Sequence, residues 1–496
     1  MARSIMIQGT MSNAGKSILT AGLCRVFKQD GYSVAPFKSQ NMSLNSFITT
    51  AGGEMGRAQV VQAEACGIEP TVEMNPILLK PVTNQGSQII VHGRARGIVT
   101  AKEHFATRAN LLPEVVKAFN SLSARHDIIV IEGAGSAAEI NLRGDDIVNM
   151  GLAKVLNAPV LLAGDIDRGG VFAQLYGTCA LLPEDERALI RGLIVNKFRG
   201  DVSLFDEGIV LLEEITGKPV LGVVPYLNID IDDEDSLSER FSPSRPTDGQ
   251  NGDIAVIRLP KVSNFTDFTA LGATDGFSVR YVEHARDLGE PDLLVIPGTR
   301  NTIADLKWMR ERGLDTAISR HVDRGGFLVG ICGGYQMLGR TISDPEGVEG
   351  GGTVEGLNLL PITTVFRQEK HQTRVAGTVL NSSGAFSSST GAKVEGYEIH
   401  MGESHLEDGA NAWIRLADGS LDGAWQGNVY GTYLHGVFDS VQARTALLNA
   451  LGVGSETNPI DYAAYREHQY DLLADGVRAA LDLDKIYEII FEAEAK

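Results

Sequence analysis

Ser4-Ile-Met-Ile-Gln-Gly9-Thr10-Met-Ser-Asn13-Ala-Gly15-Lys16-Ser17 decides the reading of the first half of this chain. A short apolar run turns at glycines and leads straight into 16–30, where apolar residues recur at helical spacing. Strand, glycine loop and helix together form a cradle in which backbone N–H groups turn inward around phosphate oxygens. In such a loop Lys16 supplies charge to the terminal phosphates, and the Ser17 hydroxyl can ligate Mg²⁺. Gly9, Thr10, Asn13 and Gly15 are the remaining loop residues expected to line ATP. Five residues separate Gly9 from Gly15, one more than the common Walker spacing.

The same alternation continues outward. Apolar runs at 33–37, 127–132, 159–164, 192–196 and 220–224 have the length of buried strands. Helical patterns at 111–124, 146–157 and 204–216 lie between several of them. Strands alternating with helices predict an α/β domain with a parallel sheet covered on both faces, here over 1–227 and P-loop NTPase-like.

Strand ends on the carboxyl side of such a sheet are where ligands bind. Glu132, closing the run at 127–132, is placed to hold a metal opposite Ser17. Lys38, in Pro-Phe-Lys38-Ser-Gln40-Asn41-Met, ends the second strand and can reach phosphates; Asn196 ends a later one, where the base would lie. Asp146 and Asp167, from Arg143-Gly-Asp145-Asp146 and Asp165-Ile-Asp167-Arg168, are further metal or substrate candidates. Acids in such positions also suit helix N-termini.

Residues 228–250 change character. Acids cluster at 230–235, and 242–252 is rich in Ser, Pro, Asp, Asn and Gly, the composition of a solvated linker. A second alternating system follows, with strands expected at 254–259, 292–296, 326–331 and 429–435, giving a second three-layer domain over 251–440. Residues 441–496 read as a helical extension packed on a domain already formed, with a last helix near 485–495.

Within the second domain, Gly326-Phe-Leu-Val-Gly-Ile-Cys332-Gly333-Gly-Tyr-Gln-Met-Leu runs from a strand directly into a helix. It is the thiol counterpart of a nucleophile elbow, in which glycines permit a strained turn. Backbone N–H groups at the helix start, Gly333 among them, can stabilise an oxyanion. Val429-Tyr-Gly-Thr-Tyr-Leu-His435 ends another strand of the same sheet with a base, so Cys332 and His435 can meet although far apart in sequence. Ile296-Pro-Gly298-Thr299-Arg-Asn-Thr is a turn able to donate a second oxyanion N–H group. Gly396-Tyr-Glu398-Ile-His400-Met-Gly gathers polar groups on a strand that could equally be an exposed edge.

Composition narrows the classes. The chain of 496 residues carries 44 Lys and Arg against 63 Asp and Glu, a formal charge of −19, which lacks the basic footprint nucleic acid needs. Cys24, Cys66, Cys179 and Cys332 are widely spaced with no C-x-x-C pair, unlike a disulfide scaffold or a cysteine-based zinc site. No apolar run approaches the ~18 residues of a membrane span. A cytoplasmic protein with no membrane partner is expected, its homo-oligomeric state left open.

Taken together, these motifs are recognisable. Gly-Ile-Cys332-Gly-Gly-Tyr-Gln-Met-Leu-Gly with Gly-Thr-Tyr-Leu-His435-Gly resembles the class I glutamine amidotransferase domain. The Gly298 turn and Gly-Tyr-Glu398-Ile-His-Met-Gly fit that domain's cobalamin-pathway branch. The first loop and Glu132-Gly-Ala-Gly resemble the dethiobiotin-synthetase type of ATPase. Fused in this order, with Lys38-Ser-Gln-Asn-Met, they are similar to the cobyric acid synthase family over residues 1–440.

The resemblance implies glutamine- and ATP-dependent amidation of adenosylcobyrinic acid a,c-diamide at its b, d, e and g carboxylates, with Mg²⁺ and no covalently bound cofactor. Two departures stand out. The Glu that often follows the histidine by two positions is replaced by Val437, with Asp439 the nearest acid. The Asp that related ATPases place between the first two motifs has no counterpart in 41–54. Alternatives are the sister a,c-diamide synthase, whose Gly-Pro-Asp-Tyr segment is not matched here, a cell-wall amidotransferase, and a non-enzymatic P-loop switch that would bind ATP without hydrolysing glutamine.

Overall fold

In a computed structural model, the described residues are 2–81, 86–141, 146–232, 252–380, 384–452 and 460–492. The expected linker from 233 onward, positions 143–145 of one acidic cluster and the end of the last helical stretch lie outside them. Two units emerge: Met1–Ser43, Gly53–Asp232 and Arg466–Lys496 form one, Leu44–Gly52 and Asp233–Tyr465 the other.

The first unit is built on six parallel strands in the order Val220–Pro225, Ile190–Phe198, Val160–Asp165, Arg3–Gly9, Ile128–Glu132, Val34–Phe37. Ile5, Ile7, Ile128, Val130, Leu161 and Ala163 have no exposed surface, as strands covered on both faces require. Every expected strand is present. The order places the ends of Arg3–Gly9, Ile128–Glu132 and Val34–Phe37 side by side, which sets Gly9, Glu132 and Lys38 along one edge. A smaller sheet, Gln40–Met42, Ile77–Pro81, Gly86–Val91 and Arg94–Thr100, accompanies it.

The end of the chain belongs to this unit's core. Leu473, Ala474 and Val477 of helix Tyr462–Ala480, and Ile486, Ile489 and Ile490 of helix Leu483–Glu492, bury their apolar stripes with Leu19, Leu23, Val26 and Phe27 of helix Lys16–Gln29. A Cβ on Gly22 would meet Val477 at 2.6 Å, so glycine permits that close approach. Arg25 pairs with Glu467 at 2.9 Å and Asp471 at 2.8 Å. The expected extension of 441–496 is therefore divided: helix Val441–Ala450 packs with the second unit, whereas residues from 466 onward complete the first.

The second unit's main sheet runs Ser278–Val282, Asp253–Ile257, Leu293–Ile296, Phe327–Ile331, Val429–Thr432, all parallel, with Ala424–Gln426 added antiparallel at one side. A separate sheet carries a long antiparallel ribbon, Ile362–Val379 against Lys393–Leu406. The Tyr397-Glu398-Ile399 stretch lies on this ribbon and is buried, which settles against an exposed edge. Residues 44–52, numbered within the ATP-type half, also belong here: Ile48 is buried against Tyr397 and Ile399, with Phe47 packed alongside. Among the described residues no helix is long and apolar enough to cross a membrane.

Candidate active site

Two groups of side chains form, one in each unit. In the first, Asn13 and Gly15 take positive φ of 61° and 90°, and this curls the loop before helix Lys16–Gln29. A Cβ on Gly15 would sit 2.1 Å from the Asn196 side chain, so only glycine fits. Asn196 donates to the Ala14 carbonyl at 2.9 Å, making it a brace for the loop. Lys16 Nζ donates to the Met11 and Gly135 carbonyls at 3.0 and 2.9 Å, which folds the ammonium over the loop.

Glu132 is the hub. Its Oε1 accepts from Ser17 Oγ and Lys38 Nζ, each at 2.8 Å, and its Oε2 from Gln62 at 2.6 Å and Gln59 at 3.4 Å. A buried carboxylate beside a hydroxyl is an oxygen donor set suited to Mg²⁺. The loop, with its inward curl and Lys16, fits a nucleotide's phosphates. Gln59 and Gln62, one helical turn apart on Arg57–Cys66, were not anticipated; nothing in their local pattern marks them as ligand-facing.

The acidic candidates have their own partners. Asp146 accepts from the backbone N–H groups of Val148, Asn149 and Gly151, each at 2.9 Å, and so ties down the turn that leads into the helix Met150–Leu156. Asp167 pairs with Arg199 at 2.6 Å, a contact that lowers its pKa. Asp165 is fully buried and holds Lys197 at 2.9 Å. Glu54, the single acid of 41–54, is buried against Lys80 at 2.8 Å.

In the second unit, strand Phe327–Ile331 runs into helix Gly333–Leu338 through Cys332, which adopts φ 51°, ψ −107°. A left-handed φ at a non-glycine residue between strand and helix is the strain of a nucleophile elbow. Its surroundings demand glycine: a Cβ on Gly334 would lie 2.0 Å from the Ile296 carbonyl, and one on Gly330 2.8 Å from Gly334 backbone. The Thr299 nitrogen lies 3.2 Å from the Cβ position of Gly333, so the turn at Thr299 packs directly against the start of the helix that follows Cys332. Thr299 Oγ1 is anchored to the Lys261 carbonyl at 3.0 Å and to Asp305, whose pKa burial lifts to about 6.

His435 is fully buried. Its Nδ1 lies 2.8 Å from Asp267 Oδ2, and the other oxygen of Asp267 accepts from the Gly436 N–H at 3.0 Å. Burial opposes protonation of the ring, but the Asp267 charge and hydrogen bond, with Cys332 acting in the same sense, push its pKa up to about 10. Tyr397 stacks on the ring at 5.2 Å and 19°. Asn264 Nδ2 donates to Tyr397 Oη and to the Ser46 carbonyl, both at 2.8 Å, and so fixes the turn that carries Asp267. Cys332 Sγ is 3.6 Å from the Ile399 carbonyl.

Asp267 supplies the orienting carboxylate that sequence reasoning left unassigned. It sits 168 positions before His435, in the 3-10 turn Phe265–Phe268 beyond strand Asp253–Ile257. The signal available was its place past the carboxyl end of a strand in the same sheet as Cys332. The other thiols are buried, and burial raises the pKa of Cys24 and Cys179, which suits packing rather than catalysis.

Comparison with known proteins adds to this geometry. Residues 5–240 match a family described as the CobQ/CobB/MinD/ParA nucleotide binding domain, and 253–443 one described as a CobB/CobQ-like glutamine amidotransferase domain. A cobyric acid synthase of Ruminiclostridium cellulolyticum is 56% identical over 99% of this chain and 98% of its own length. One from Lachnoclostridium phytofermentans is 53% identical over 99% of this chain and 100% of its own. Among solved structures, PurLQS from Thermotoga maritima covers 40% of this chain and 99% of its own, at 20% identity and a TM-score of 0.33.

Proposed function

The chain belongs to the cobyric acid synthase family of ATP-using, glutamine-hydrolysing amide ligases of cobalamin biosynthesis, and from that premise we propose that it converts adenosylcobyrinic acid a,c-diamide to adenosylcobyric acid by amidating the b, d, e and g carboxylates. The observation that carries the assignment of labour is Cys332 at a strained elbow in one sheet with His435, itself held 2.8 Å from Asp267.

Cys332 Sγ attacks the carboxamide carbon of glutamine. The N–H groups of Gly333 and Thr299, with Gly298 shaping the turn, bind the developing oxyanion. The C–N bond breaks as His435 passes its proton to the leaving nitrogen, and ammonia departs from a thioester. Water then adds to the thioester, His435 takes its proton, and glutamate leaves. Asp267 keeps the imidazole in one orientation and stabilises its protonated form throughout.

In the first unit, the terminal phosphoryl of ATP is transferred to a corrin carboxylate, and ammonia displaces phosphate from the acyl phosphate. Gly9, Thr10, Asn13, Gly15 and Lys16 hold the phosphates; Asn196 keeps the loop in shape; Lys38 adds charge at the transferred group. Ser17 and Glu132 would hold Mg²⁺, which neutralises phosphate charge when bound. Asp146 and Asp167, which end their loops on the carboxyl side of the same sheet, are the candidates for gripping substrate or metal.

The test offers purified protein adenosylcobyrinic acid a,c-diamide or cobyrinic acid, each with ATP, Mg²⁺ and glutamine, and identifies products by mass spectrometry. Fourfold amidation of the first with no turnover of the second is expected. Turnover of cobyrinic acid alone would assign the chain the earlier amidation instead.

A further inference from the structure

The antiparallel ribbon of the second unit holds a group of side chains that the chemistry above does not use. His371 and His400 are directly paired across the ladder, and Glu398 precedes His400 by two positions. Because side chains alternate with period two, all three project from one face of the ribbon. One ligand atom from each lies within 4.8 Å of the others. The two imidazole centroids are 5.1 Å apart, and His371 Nε2 is 3.0 Å from Glu398 Oε2.

Each group is prepared in the way metal ligands are. His400 Nδ1 donates to the Gly402 carbonyl at 2.7 Å, which selects the tautomer with a lone pair on Nε2. Its ring is clamped on Tyr433, with centroids 3.7 Å apart. The Glu398 side chain is 7% exposed and that of His371 54%, so a buried carboxylate and a fixed imidazole face a side open to solvent. Two nitrogens and one oxygen form a borderline-soft donor set, poor for Mg²⁺ or Ca²⁺ and suited to zinc.

We propose that His371, Glu398 and His400 form a binding site for a zinc-class divalent metal ion, three protein ligands with one coordination position left to solvent. It lies one residue along the ribbon from Ile399, whose carbonyl meets Cys332 Sγ at 3.6 Å. The site is nevertheless separate from the nucleophile, since its ligands do not include the thiol.

The test uses full-length Cys332→Ala protein, in which the thiol cannot bind metal, stripped with chelator and titrated with ZnCl₂ and with CoCl₂. One ion per chain is expected, with visible cobalt bands of a nitrogen–oxygen site and no sulfur charge-transfer band. Losing a ligand should weaken binding by at least ~10-fold, so His371→Ala, at a half-exposed position that leaves the fold intact, and His400→Ala should both do so. Excess MgCl₂ should not compete. The proposal is overturned if the histidine variants bind zinc as tightly as their parent, or if binding seen in the wild-type chain vanishes in Cys332→Ala. It is overturned equally if no ion binds.

Discussion

Replacing Asp267 by Asn keeps the volume and shape of the side chain but removes the charge that faces His435. In the structure the rise of the His435 pKa from 6.5 to about 10 has Asp267 as its largest favourable cause. At about 1.4 kcal/mol per pH unit, that rise corresponds to roughly 5 kcal/mol favouring the imidazolium, shared by Asp267 and Cys332. An amide can also present N–H to Nδ1, which would impose the wrong tautomer. Loss of proper general acid–base catalysis costs about 10²–10⁴ in rate, so the kcat/KM for glutamine hydrolysis should fall by that range. Glutamate release measures it directly, and the histidine NMR signal should titrate well below 10 in the variant. Synthesis supported by ammonium chloride should stay within about twofold of wild type. A folded Asp267→Asn protein that hydrolyses glutamine within about threefold of wild type would refute the role given to Asp267. Equal loss of the ammonia-supported reaction would refute it too.

Two further outcomes follow from the same geometry. His435 in the folded protein stays protonated to about pH 10, whereas its ordinary value is 6.5, so its stabilisation is complete below about 6.5 and fades as pH rises through 10. Denaturant unfolding of wild type and Asp267→Asn should therefore differ most at low pH and converge toward pH 10; a difference unchanged across that range would contradict the ion pair. Glycines should divide by their surroundings: Gly334→Ala places a Cβ 2.0 Å from the Ile296 carbonyl and should destabilise by about 3 kcal/mol or more, as severe core overpacking does. Gly177→Ala, with open space at its Cβ in helix Val171–Leu181, should stabilise by about 0.5–1 kcal/mol, and thermal unfolding reads both.

Those features that a short segment defines by itself were legible in the sequence. Gly15, Lys16 and Ser17 share one turn, Glu132 closes one apolar run, and Cys332 sits between glycines whose need is local. What escaped was held by distant partners. Asp267 acquires its role only when the sheet order brings its turn beside His435, and no spacing in the chain announces it. Phe47 and Ile48 read as part of the first half, yet their apolar side chains are buried against Tyr397 and Ile399. The last two helices carry apolar stripes that fit helix Lys16–Gln29, and periodicity shows a stripe without showing what covers it.

The central claim is that one chain separates ammonia production at Cys332 from ATP-dependent amidation at Lys16. Cys332→Ala protein, given adenosylcobyrinic acid a,c-diamide, ATP and Mg²⁺, should make the fully amidated product with ammonium chloride and none with glutamine. Lys16→Ala protein in the same assay should make none with either nitrogen source. A folded Cys332→Ala protein that fails with ammonium chloride as well would contradict the division of labour.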